Sequence, residues 1–177
     1  MIKQDLLELI DSWENLPLII KKLEEHHQDF DTLMEIALYS NEPQSWRAAY
    51  IADKVHENYP NIVLPFINKI ILQLKVEKHS GKKRHFLRQI SLNPIPEPHF
   101  GFLVDYCLNA LTSAKELPAV RVHAMQILYN ISEKETDLKP EILAIIEHEM
   151  EYHSTAAILS RGSKLVNKLR KQIERKE

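Results

Sequence analysis

Nine histidines give this chain its richest supply of metal-binding groups, and the run His148-Glu149-Met150-Glu151-Tyr152-His153 brings two of them close together. Two helical histidines that share one ion lie four residues apart, so that both rings fall on one face. These two are five apart, about 140° around a regular helix, which predicts that they do not chelate together. His26 and His27 are adjacent and diverge in the same way. Nucleophilic chemistry has as little to work with. The single cysteine, Cys107, lies in an apolar stretch with Leu103, Tyr106 and Leu111, where it reads as a small core hydrophobe rather than a reactive thiol. No glycine-rich phosphate loop and no nucleophile elbow occur. The sequence therefore predicts no catalytic residue, no cofactor and no metal site.

Charge offers two further possibilities. An arginine recurs at Arg47, Arg84, Arg121 and Arg161. Four guanidinium groups in a row could bind phosphates or carboxylates, but repeat packing alone would produce the same recurrence, each arginine pairing with a neighbouring carboxylate or covering a seam with its stem. The structural reading is preferred. Basic residues also cluster at Lys82, Lys83, Arg84, His85 and Arg88, and in a tail from Arg161 to Glu177 that holds seven Lys or Arg against two Glu. Lys82, Lys83, Arg88, Lys164, Lys168 and Lys171 are the candidate nucleic-acid contacts, because each neutralised phosphate releases counterions. A solvated terminal helix explains the tail equally well, and a net charge of −2 with a pI near 6.5 argues against general backbone binding.

The elements that carry these residues are predicted to be helices throughout. Of the 177 residues, 44% are hydrophobic and 27% charged, as in an ordinary globular chain long enough to build its own core. Three glycines against nine prolines, most of the prolines at predicted helix starts, is all-helical punctuation. No segment alternates as a strand would. Arg84, Gln89, Ile90 and Asn93 return 37 residues later as Arg121, Gln126, Ile127 and Asn130, a period that points to stacked helical repeats. Helix pairs, A then B, are predicted three times over residues 43–153. A buried triad marks the B helices: Ile67, Ile70 and Ile71, then Leu103, Tyr106 and Cys107, then Ile142, Ile145 and Ile146. Residues 1–42 read as atypical N-terminal capping helices and residues 155–177 as a C-terminal cap. The prolines at 94, 96 and 98 are expected to stiffen a connection inside one domain spanning residues 1–177. The lone cysteine, the charged N-terminus and the lack of a cleavable apolar segment imply a reducing, cytoplasmic compartment and no membrane contact.

With paired helices, a period of 36 to 40, prolines between helices and the recurring arginine, the chain resembles the HEAT and armadillo repeat superfamily. It departs from the usual pattern in lacking aspartate in the turns, which read Glu57-Asn58-Tyr59-Pro60 and Asn93-Pro94-Ile95-Pro96. The resemblance implies a right-handed α-α superhelix of four to five helix pairs, with B helices lining a concave surface where partners bind. On the triad alignment the solvent-facing positions there are Lys69, Gln73, Asp105, Asn109, His148, Glu151 and Tyr152. One enzymatic branch of such folds, the DNA alkylation-repair glycosylases, combines a tryptophan, an acidic residue one turn away and a later arginine. Here Tyr50 stands one turn after Trp46 and Asp53 lies seven residues on, so no catalytic role carries over. The expectation is a non-enzymatic scaffold that binds another protein, with nucleic acid as the alternative partner and self-association open. Trp13 and Trp46 are expected to staple repeat edges.

Overall fold

The structure, a computed structural model, describes residues 1–175. Lys176 and Glu177, the last residues of the predicted cap and basic tail, lie outside the described residues. Ten α-helices follow in order: α1 (Lys3–Ile10), α2 (Leu16–Glu25), α3 (Asp29–Tyr39), α4 (Ser45–Asn58), α5 (Ile67–Leu74), α6 (Ser80–Leu92), α7 (Phe100–Thr112), α8 (Pro118–Ser132), α9 (Lys139–Tyr152) and α10 (Ala156–Glu174). No strand occurs among the described residues, and no described helix is long and apolar enough to cross a membrane.

Local chemistry sets several boundaries. Pro118 opens α8, where the missing amide hydrogen would have had no intrahelical partner. The Thr155 hydroxyl accepts from the Ile158 amide at 3.3 Å and caps α10. Four 3₁₀ segments among the described residues, Trp13–Asn15, Pro60–Phe66, Glu97–His99 and Thr136–Leu138, lead directly into α2, α5, α7 and α9. Pro65 therefore lies in the turn before α5 rather than in its first helical turn.

The helices form two compact units, Met1–Asn93 with α1 to α6 and Pro94–Glu177 with α7 to α10. The boundary falls at the first proline of the Pro94-Ile95-Pro96 run, inside the second predicted helix pair. In the first unit α4 packs against α2, α3 and α6, and α5 against α6; in the second, α7 packs chiefly against α8, and α10 against both α8 and α9. The closest sequential neighbours are thus α3 with α4, α5 with α6, α7 with α8 and α9 with α10, one helix out of step with the predicted A-then-B pairing. These partners are joined by five residues or fewer, as compact helical hairpins require, whereas each predicted pair is interrupted by a 3₁₀ segment.

All three members of the first apolar triad are buried, each worth about 1.5–3 kcal/mol of transfer free energy. In the later copies the middle member is only half-buried, at Tyr106 and Ile145. Helix α5 packs against both α3 and α6, whereas α7 rests mainly on α8 and Ile145 borders an open cleft. Gly162 is buried in α10: a Cβ there would stand 2.5 Å from the Met150 Sδ and 2.8 Å from its Cγ on α9, so the absent side chain sets how closely these helices approach.

Candidate functional site

Among the described residues each unit buries one carboxylate. In the first, Asp53 on α4 is 3% exposed. Its Oδ2 lies 2.5 Å from His85 Nδ1 on α6 and its Oδ1 lies 3.4 Å from Arg88 Nη1. Arg88 extends the network outward through Nη2 to Glu57 Oε1 at 3.2 Å. One turn back on α4, Tyr50 meets His85 edge-on at 5.6 Å and Trp13 at 5.4 Å. Trp46 also contacts Trp13, at 5.6 Å. Arg47 donates to the backbone carbonyls of Ile10 and Asp11 while its guanidinium lies 4.9 Å from the Trp13 ring. The two tryptophans thus fasten the N-terminal helices to α4, as the sequence predicts.

A second polar group lies one turn beyond Asp53. His56 is buried, and desolvation pulls its pKa below 6.5, against the raising influence of Asp53. Its neutral Nε2 accepts from Asn93 Nδ2 at 3.3 Å, and the same amide donates to the Gln89 carbonyl at 2.7 Å. The Gln89 side chain is fully buried and neither its amide nitrogen nor its oxygen has a hydrogen-bond partner among the described residues. Its counterpart in the second copy, Gln126, accepts from Arg161 at 2.6 Å and donates to Asn130 at 2.8 Å.

In the second unit the buried carboxylate is Glu149 on α9, 2% exposed. Arg121 on α8, itself buried, donates from Nη2 to Glu149 Oε2 at 2.7 Å, from Nε to the Leu111 carbonyl at 2.8 Å and from Nη1 to the His153 carbonyl at 3.2 Å. His148 Nδ1 lies 3.2 Å from Glu149 Oε1, and His153 Nδ1 lies 3.1 Å from Oε2. Thr112, Ala144 and Ile145 join these three residues around a cleft of about 440 Å³. The separation of the two histidines on a regular helix does not apply, because α9 ends at Tyr152 and His153 leaves helical geometry at φ −134°, ψ 37°.

The recurring arginines form no common ladder. Arg84 is exposed, Arg47 binds carbonyls and indole faces, Arg121 grips a carboxylate and Arg161 an amide. Three of the four are absorbed in packing by different means. The basic cluster is likewise dismantled. Lys82, an expected surface contact, is buried and donates to the Ser40 carbonyl at 2.8 Å, its pKa lowered chiefly by desolvation. A lysine aligned with the apolar seam of α6, beside Phe86 and Ile90, is carried inward with it. Arg88 is held by Asp53 and Glu57, and Lys83 is half-buried. On α10, Lys164, Lys168 and Lys171 are exposed, with Lys168 5.6 Å from the Tyr129 ring.

Of the predicted partner-facing residues, Lys69, Asp105, Asn109, His148, Glu151 and Tyr152 are exposed and Gln73 is half-buried. Tyr152 rests 4.8 Å from His148. Cys107 is buried, and desolvation pushes its thiol pKa up strongly, as befits a core residue. The Asp53–His85 contact, spanning 32 residues, escaped the sequence because no local motif marks it.

No curated protein and no solved structure shows significant similarity to the chain. A family profile described as a HEAT repeat domain does match, over residues 3–169. That span covers α1 through most of α10, so the chain belongs to the HEAT repeat domain family.

Proposed function

We propose that this protein is a non-enzymatic interaction module that binds another protein through the exposed faces of α7 and α9. One observation carries the reading. The side chains of Asp105, Asn109 and Glu151 are exposed and make no hydrogen bond or ion pair among the described residues. Side chains that contribute nothing to the fold are free to meet a partner, and polar groups at such positions set register and specificity more than affinity. Membership of a family built from helical repeats supports a scaffold role, since function in such folds resides in surface side chains.

The test is capture of partners from native lysate, with and without nuclease, using the wild-type chain and the Asp105→Lys/Glu151→Lys double variant. A stoichiometric protein that survives nuclease and is lost with the variant, at unchanged helical circular dichroism, supports the reading. Equal capture by both chains removes it.

Nucleic acid remains the second reading because Lys164 and Lys171 are exposed on α10. Deleting residues 164–177 is no test of it, since Leu165, Val166 and Leu169 are buried and their loss would strip the core. Lys164→Glu/Lys171→Glu leaves that seam intact. Binding that falls steeply with salt and with this variant would favour nucleic acid.

A further inference from the structure

We propose that His148, Glu149 and His153 form a binding site for one divalent transition-metal ion, zinc in the first instance, at the C-terminal end of α9. The inference does not rest on the partner-binding reading, although His148 belongs to both. Each residue offers a donor atom and the three donors lie within 4.8 Å of one another. Zinc with imidazole and carboxylate ligands at about 2.0–2.2 Å sets its donors about 3.3–3.5 Å apart. The separations of 3.2 Å from His148 Nδ1 to Oε1 and 3.1 Å from His153 Nδ1 to Oε2 are already close to that spacing. The remaining gap is between the two imidazoles. Their side chains are 57% and 47% exposed, free to rotate inward, while Glu149 is fixed.

Three features favour a cation here. Arg121 at 2.7 Å orients the Glu149 carboxylate through Oε2, the role that an outer partner plays toward a metal ligand. Because the guanidinium also offsets the carboxylate's charge, donor geometry rather than net charge carries the site. The end of α9 presents the negative pole of its helix dipole. The cleft beside Thr112, Ala144 and Ile145 gives the ion an entry path and leaves a coordination position for water or an outside ligand. Two nitrogens and one oxygen select zinc, nickel or copper over magnesium or calcium, whose preferred ligands are oxygens.

Zinc chloride titrated calorimetrically into the tag-free full chain should bind at one ion per chain, and cobalt in its place should develop visible d–d absorption. His148→Ala and His153→Ala should each weaken zinc binding by roughly tenfold or more, with helical circular dichroism unchanged because both rings are largely outside the core. His26→Ala/His27→Ala should bind as wild type, and excess magnesium should not compete. No saturable zinc binding by the wild-type chain would overturn the proposal. So would His148→Ala and His153→Ala chains that bind zinc as wild type does.

Discussion

Asp53 and Glu149 solve one problem in opposite ways. Both are almost wholly buried carboxylates held by one arginine and by histidine. Around Asp53 the histidine lies inside, with a side chain 7% exposed, and Arg88 stands partly in solvent at 27%. Around Glu149 the arginine lies inside at 6% and both histidines face solvent. A buried charge must be matched wherever it sits, but the group placed outermost decides what else the carboxylate can meet. His85 is locked between Asp53 and Tyr50, whereas His148 and His153 can turn toward something new without disturbing the core.

The sharpest way to break this comparison is Arg121→Met, which strips three hydrogen bonds from the second unit and leaves buried Glu149 with only the two exposed histidines beside it. A loss of about 3–5 kcal/mol in urea unfolding is expected. A loss below about 1 kcal/mol, the level of an exposed ion pair, would mean that Arg121 does not anchor the carboxylate. Asp53→Asn should cost less, about 1–3 kcal/mol, because Arg88 keeps Glu57 and reaches water. If Asp53→Asn proves the costlier change, the assignment of inner and outer partners is wrong.

Gln89→Met sharpens the contrast in the other direction. It removes two unpaired polar atoms from the core at similar volume and should raise stability by about 1 kcal/mol. The same change at Gln126 should lower stability, since Arg161 and Asn130 lose their partner. The smallest effect expected is a pH dependence. His56 has a folded pKa below its unfolded 6.5, so as pH falls from 6.5 toward that lower value the unfolded chain takes up a proton that the folded chain does not. Stability therefore declines through this window and the loss is constant below it. His56→Asn should flatten that part of the profile, and an unchanged slope in thermal melts at pH 5–7 would assign the acid sensitivity elsewhere.

Much of the fold was legible in the residues themselves. The recurrence of Ile67, Ile70 and Ile71 at later positions and the prolines at helix starts located three successive helix pairs over residues 43–153 and a terminal helix after them, because burial on one face imposes a period that any single helix displays. Which helix lies closest to which was not legible, since that depends on how tightly each connection turns. The two carboxylate networks were less visible still. Asp53 and His85 meet only through the packing of α4 on α6, and Lys82 looked like surface because its charge was read without its place on the α6 seam. The approach of His153 to Glu149 was hidden for a local reason: the rotation of a regular helix was extended one residue past the point where α9 stops.

The missing side chain at Gly162 bears on how this protein can change over generations. A larger residue there meets the Met150 thioether, so it fits only when that flexible, half-buried side chain swings aside or is shortened. The two positions are therefore bound to each other's history. A change at one asks the other to give way, and because Met150 directly follows Glu149, drift at this seam is coupled to the last turn of α9 and the carboxylate it carries.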